Sequence, residues 1–399
     1  MVIISLDISE VSMESIYLDN AATTKPNQNA IKAAMPYLTD YWQNPSAIYS
    51  EAGKARQAIE RARKDIADYI HAELKEIYFT SGGSESNCWA IQGFIYRCIK
   101  ENSYPVIITS KIEHKSIMEC AKFVKESKLA SVYYIDNDTY GDIDLEHLKH
   151  ILGYAKKYNN SSRLLVSIQF ANNEIGTIQR VKEIAKIVHD FGGIFHTDAV
   201  QAIGNINVDI KDIDVDMLSA SAHKFGGIKG NGFLYIKKGI KIEPLIFGTQ
   251  NNNMRGGTEN VAGIVAMAHA LKNRAISDFK MFEIKDKFIK ALYDLQPYKF
   301  EINARCRTNL ALPSILSITI FEDITAEAIL LLLDSDNIQV SSGSACNSLS
   351  NKPSYVLKAI GLSDWDSART FRISFNDSLS DEQIEHFVKS LKNALNILL

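Results

Sequence analysis

The stretch Thr80-Ser-Gly-Gly-Ser-Glu-Ser-Asn87 sets two glycines between an apolar run and an amphipathic one. Gly82 and Gly83 let backbone N–H groups approach a ligand, and Ser84 opens a helix whose N-terminus carries partial positive charge, so the pair can cup a phosphate. Taken alone, the stretch reads more readily as a tight strand-to-helix turn with Ser84 and Asn87 in capping-box-like positions. Asp198, in Gly193-Ile-Phe-His-Thr-Asp-Ala-Val-Gln201, stands at the C-terminal end of an apolar run. Functional side chains of α/β enzymes sit at such ends; a carboxylate there can pair with a protonated ring nitrogen or cap the turn that follows. Lys224 lies between the apolar run Met217–Ala220 and a loop dense in glycine, Gly226 to Gly232. A lysine confined in this way suits Schiff-base formation, with Ser221 and His223 beside it as phosphate ligands, whereas an isolated one reads as a surface lysine on a turn. Cys346 falls in Ser341-Ser-Gly-Ser-Ala-Cys-Asn-Ser348, a small and polar setting that suits a nucleophile on a loop.

These groups need elements to hold them. Short β-branched runs at Ile77–Thr80, Val106–Thr109, Val132–Ile135, Leu164–Phe170, Gly193–His196, Met217–Ala220 and 233–236 read as strands. Helical patterns over Ser84–Lys100, Lys115–Ser127 and Lys182–Phe191 alternate with them. Apolar strands alternating with helices predict a mostly parallel sheet covered on both faces. After about Ala270 the pattern changes to a long helix reaching about Leu295, strands at Ser314–Phe321 and Ile338–Ser341, a helix around Thr325–Leu333 and a last one over Asp381–Leu398. The expected division is an N-terminal segment, 1–16, packing on the smaller unit, a large α/β domain over 17–270, and a small α+β domain over 271–399 that carries the cysteine loop.

The chain has 399 residues, 46% of them hydrophobic and 23% charged, which excludes wholesale disorder. Its net charge of −3 argues against a broad nucleic-acid surface. With no apolar run near the length of a membrane span, and acids in the opening residues where a signal peptide carries cations, a cytoplasmic protein is expected. Cys88, Cys98, Cys120, Cys306 and Cys346 are widely spaced with no CxxC pair, so neither a disulfide framework nor a zinc site is indicated. The first four read as small buried hydrophobes. His147 and His150 lack a ligand pattern around them and read as a solvated helix face, so no metal site is expected.

Taken in order, a phosphate cup, a strand-end carboxylate and a lysine in a glycine-rich loop meet the requirements of pyridoxal 5′-phosphate (PLP). The chain resembles the class V aminotransferase family of fold-type I PLP-dependent transferases, and within it the NifS/IscS-like cysteine desulfurases. Matching stretches run from Tyr17-Leu-Asp-Asn-Ala-Ala-Thr-Thr24 through Asn44-Pro-Ser46, Glu113-His-Lys115, Asn172-Asn-Glu-Ile-Gly176, Arg255-Gly-Gly-Thr258 and Ser341–Cys346 to Phe371-Arg-Ile-Ser374. The resemblance implies that Lys224 carries the cofactor and moves protons, that Asp198 pairs with the ring nitrogen, and that His114 stacks on the ring and assists proton transfer. It implies that Gln201 and Asn173 contact the ring hydroxyl side, Asn173 also lying near the substrate carboxylate. Gly83, Ser84, Ser221 and His223 would hold the phosphate, and Thr258 would reach the phosphate of a partner subunit in a homodimer. Arg372 would grip the substrate carboxylate with a planar fork.

The implied reaction converts L-cysteine to L-alanine while Cys346 takes the sulfur as a persulfide. That sulfur would pass to an acceptor protein, either an iron–sulfur scaffold, where Cys346 is at most a passing cluster contact, or a tRNA-thiolation enzyme. A selenocysteine lyase or another class V lyase is the alternative within enzymes, and a non-catalytic PLP-fold partner protein the alternative outside them. Three positions depart from the family pattern: Ala222 for a glycine, Ile228 for a proline, and Phe247-Gly-Thr-Gln-Asn-Asn-Asn253 for a glycine-rich stretch. The last of these is expected to bear on the entrance to the site or on the dimer contact.

Overall fold

A computed structural model describes residues 15–158, 162–272, 274, 278–304, 310–343 and 353–399. The first strand, β1 (Ile16–Tyr17), precedes the seven strands of the main sheet. These are β2 (Ile77–Thr80), β3 (Tyr104–Ser110), β4 (Ser131–Ile135), β5 (Ser162–Ser167), β6 (Ile194–Asp198), β7 (Met217–Ser221) and β8 (Gly232–Ile236). They lie in the order β2-β8-β7-β6-β5-β3-β4. Pairing is parallel across β7, β6, β5, β3 and β4, while β8 runs antiparallel to both β7 and β2.

Successive strand residues leave the sheet on opposite faces, and both faces are buried. Val106, Ile108 and Val166 enter one core together with Ile66 and Phe195. Ile107 and Leu165 enter the other with Trp89 and Phe94. That is why these strands read as continuous apolar runs. The helices Gly83–Lys100 and Lys115–Glu126 cover the second face, and Ser50–Ile70 covers the first.

The helix Ser50–Ile70 left little trace in the sequence because its inner face is mostly small: Ala52, Ala55, Ala58, Ala62 and Ala67 alternate with Ile59, Ile66 and Ile70 among many charges. The strand expected to run to Phe170 ends at Ser167. Beyond it the Gln169 N–H donates to the Glu113 carboxyl group rather than to a neighbouring strand. The helix expected after Ala270 is Asp278–Leu292, and a separate helix, Val261–Lys272, precedes it.

A second core lies beyond the main sheet. The strands β9 (Phe300–Ile302), β10 (Ile315–Ile320) and β12 (Thr370–Ser374) form an antiparallel sheet with β10 in the centre, and β11 (Ile338–Gln339) pairs parallel with β1. Phe288 stacks on Phe375 at 5.2 Å between ring centres and meets Phe387 edge-on at 5.5 Å, an arrangement the aromatic quadrupoles favour. This core ties the helices Asp278–Leu292 and Asp381–Leu398 to the small sheet.

Candidate active site

The carboxyl ends of the parallel strands carry the chemistry, as expected for an open α/β sheet. A cavity of about 270 Å³ opens there. Lys224 lies three residues beyond β7, and its Nζ donates to the Ala21 and Ala22 carbonyls at 2.6 and 2.9 Å. Asp198, the last residue of β6, is buried in the same wall. Its carboxylate accepts from Asn87 Nδ2 at 2.6 Å and from the Val200 N–H at 3.0 Å. Gln201 lines the cavity and donates to the Ala21 carbonyl at 2.9 Å.

His114 sits between β3 and the helix it caps. Its Nδ1 accepts the Ser116 backbone N–H at 3.2 Å, so the neutral ring carries its proton on Nε2. Burial lowers its pKa and the Lys224 and Lys115 cations add to that, against the opposing pull of Asp198. His223 is pushed down to about 4, mostly by burial and further by Lys224.

Gly83, Ser84, Ser221 and His223 meet at one end of the cavity, at the N-terminus of the helix Gly83–Lys100. Gly82, the residue that starts this helix, has φ 152° and supplies no side-chain cap. A Cβ on Gly83 would come within 2.5 Å of Val200 Cγ2, so the cup needs glycine there. Asn87 does not cap the helix as its sequence position suggests but orients Asp198, and it also donates to Ser116 Oγ at 2.9 Å.

Arg372, in β12, brings the second core to the cavity. Its guanidinium donates to the Asn173 carbonyl at 2.8 Å and to Asp19. Asn173 itself lines the cavity. Arg372 Nε and Asn87 Oδ1 are buried without a hydrogen-bond partner among the described residues. Helix N-terminus, strand-end carboxylate, half-buried lysine and these two unmatched polar atoms fit a flat, anionic, nitrogen-containing ring with a phosphate tail, which is PLP.

Thr258 is exposed and is not among the residues lining this cavity. Cys346 and Cys306 lie outside the described residues. Ala222 is buried, and its Cβ would meet a Cβ on Gly227 at 2.7 Å, so the methyl group gained at one position is matched by a glycine at the other. Phe247 is exposed, and Asn251, Asn252 and Asn253 all have positive φ, a conformation asparagine tolerates. Cys98 and Cys120 are buried as expected, but Cys88 is only half-buried. A hydrogen bond between Cys88 and Cys120 lowers the Cys88 thiol to about 7 and raises that of Cys120. Sequence reasoning also missed Gln169, Asp19 and Tyr355. A glutamine inside the apolar run Leu164–Phe170 was the available signal for the first.

The fold and the cavity together define a fold-type I PLP enzyme. The model of the aminotransferase class-V family matches residues 16–387, and the chain belongs to that PLP-dependent family. It is 39% identical over 381 residues to a cysteine desulfurase IscS of Methanosarcina thermophila, covering 94% of this chain and 91% of that one. Among solved structures, a NifS-like protein superimposes with a TM-score of 0.86 at 31% identity, covering 96% of this chain and all of the other. SspA in complex with cysteine matches with a TM-score of 0.78 at 33% identity, covering 90% and 99%.

Proposed function

We propose that this protein is a cysteine desulfurase that moves the sulfur of L-cysteine onto Cys346 as a persulfide and releases L-alanine. The observation that carries the reading is the joint placement of Lys224 and Arg372 on one cavity that Tyr355, three residues beyond the stretch 344–352, also lines. The relatives named above as desulfurases support it.

Bound PLP supplies an electron sink that makes the substrate Cα proton acidic and its C–S bond labile. Lys224 takes that proton and returns it. Asp198, held by Asn87 and the Val200 N–H, keeps a proton on the ring nitrogen. Neutral His114 can donate or accept without carrying charge into the cavity. Arg372 orients the substrate by its carboxylate, and Asn173 holds the guanidinium through its carbonyl. In the transfer itself, the Cys346 thiol and the cysteine sulfur become a persulfide while hydrogen replaces sulfur on the alanine carbon, so atoms balance.

The assay is sulfide release from L-cysteine under a thiol reductant, with L-selenocysteine as the comparison substrate. The expected result is turnover of cysteine that Cys346→Ser abolishes. Full activity of Cys346→Ser would defeat the persulfide assignment, and turnover of selenocysteine alone would make the protein a selenocysteine lyase.

The domains divide at about residue 270, with the substrate arginine in the smaller one. The enzyme works as a homodimer in the cytoplasm, where Thr258 serves the partner's cofactor phosphate. The exposed Leu38, Trp42, Ile48 and Phe247 offer a second copy apolar surface to cover. No helix among the described residues is long and apolar enough to cross a membrane. With net charge near zero, the acceptor is a protein, an iron–sulfur scaffold or a tRNA-thiolation enzyme, rather than nucleic acid.

A further inference from the structure

Glu174 is a carboxyl group almost wholly withdrawn from water, 2% exposed, in the loop that follows β5. Burial raises its pKa, while the Ser354 hydroxyl, Arg372 and Lys115 pull the other way. A buried carboxyl group is costly unless each of its bonds is made. Its side chain lines the cavity that holds Lys224 and Arg372, and its hydrogen bond runs to Ser354.

Glu174 Oε2 accepts from the Ser354 hydroxyl at 2.5 Å. That hydroxyl is fully committed, because its oxygen also accepts the Val356 and Leu357 N–H groups and so caps the helix Tyr355–Ala359. The next residue, Tyr355, donates its phenol to the Glu113 carbonyl, directly before His114. On the other side, the same Glu174 Oε2 lies 3.4 Å from where a Cβ on Gly343 would stand. Gly343 follows Ser341, which exchanges two backbone hydrogen bonds with Arg372, at 2.6 and 3.2 Å. Asn172 fixes the loop itself, its Oδ1 accepting the Glu174 and Ile175 N–H groups at 2.7 and 2.9 Å.

One buried carboxyl group therefore bonds to Ser354, just after residues 344–352, and faces Gly343, just before them. We propose that Glu174 is a positioning residue for sulfur transfer: it anchors Ser354, just beyond the stretch 344–352 that contains Cys346, beside Gly343 at the rim of the cavity that holds Lys224 and Arg372. The inference rests on the desulfurase reading for its consequence in turnover, though not for the contacts themselves. Its role is that of a hydrogen-bond acceptor for Ser354 and not that of a base. A glutamine, whose carbonyl accepts the same bond, therefore serves in its place.

The test compares Glu174→Ala, Glu174→Gln and Ser354→Ala in the full-length holoenzyme. Two substrates separate the clamp from general damage. L-Cysteine needs Cys346 to take its sulfur, whereas β-chloro-L-alanine loses chloride without any nucleophile to receive it. Glu174→Ala and Ser354→Ala are expected to lose about 10- to 100-fold in kcat for cysteine, the scale of a misplacement near 1 Å, and to keep their turnover of β-chloro-L-alanine. Glu174→Gln is expected to keep both. A second readout needs no substrate: amide hydrogen exchange over residues 343–359 should quicken in Glu174→Ala and stay unchanged in Glu174→Gln.

Equal loss on both substrates, no loss on either, or a glutamine variant as impaired as the alanine one each overturns the proposal. Unchanged exchange in Glu174→Ala does so as well. A wild-type protein that consumes β-chloro-L-alanine but releases no sulfide from cysteine sinks the desulfurase reading instead, and the exchange result still decides whether Glu174 holds Ser354 in place.

Discussion

Asp198 works through the bonds that aim it as much as through its charge. Asn87 reaches across from the neighbouring helix to its Oδ2 at 2.6 Å, and the Val200 N–H holds Oδ1 at 3.0 Å. Hydrogen bonds to an ionised group contribute roughly 1.5–3 kcal/mol, so Asn87→Ala should weaken PLP binding about tenfold or more. Titration of apoprotein with PLP, followed by its visible absorption, measures this. An unchanged affinity would remove Asn87 from the site. Lys224 gives the complementary test: borohydride should abolish the visible band of the wild type, and Lys224→Ala should lack the band altogether. Asp198 and Lys224 were legible as candidates because each stands in a context that packing alone does not explain, whereas Arg372 entered only through the family resemblance. Asn87 was visible only as a capping residue of the helix, since a partner 111 positions away leaves no local mark.

The element that forms the phosphate cup is the turn from β2 into the helix Gly83–Lys100. A methyl group on Gly83 would press on Val200 Cγ2 at 2.5 Å, and overpacking of this kind costs about 1–3 kcal/mol. Gly83→Ala should lower stability by that amount and release the cofactor more readily. Adding Val200→Ala should restore much of both, because it removes the atom in the way. Denaturant midpoints and cofactor retention on dialysis report the two effects, and a double variant no better than the single one would place the strain elsewhere. At this scale the strands were readable from their apolar runs and the cup from its glycines. The helix Ser50–Ile70 was not, because alanine supplies a buried face without a strong hydrophobic signal. The end of β5 was misplaced for a different reason: whether Gln169 joins the ladder or turns to Glu113 depends on a residue from another strand's loop.

For the whole molecule, two fully buried groups set opposite limits on stability. Burial raises the Glu113 carboxyl to about 8. Between its ordinary value of 4.5 and that figure, the folded chain holds a proton the unfolded chain has released, so stability is lost as pH rises through this window. His196, between Ser167 and Ser219, is pushed down to about 3 by burial. The unfolded chain takes up a proton below 6.5 that folded His196 refuses, so its contribution is lost as pH falls from 6.5 toward 3. Glu113→Gln imitates the protonated acid, offering its amide to Ser110 and its carbonyl to the Gln169 N–H. It should remove Glu113's contribution to the decline between pH 6.5 and 8, a contribution that approaches about 1.4 kcal/mol per pH unit. Urea midpoints at the two pH values check this, and parallel slopes would show that Glu113 ionises freely. Sedimentation should also find about twice the 44.6 kDa chain mass if the exposed Leu38, Trp42 and Phe247 are covered by a second copy.

By itself the sequence determined the strand and helix alternation, the glycine cup, Asp198, Lys224 and the order in which they occur. Each of these depends on residues close together in the chain, where steric and periodic constraints act. Tertiary structure alone decided that Arg372 meets Asp19 and Asn173, that Asn87 orients Asp198, and that Glu174 bonds to Ser354. Those contacts join residues far apart in the chain, and a buried polar group finds its partner only once the cores have closed around it.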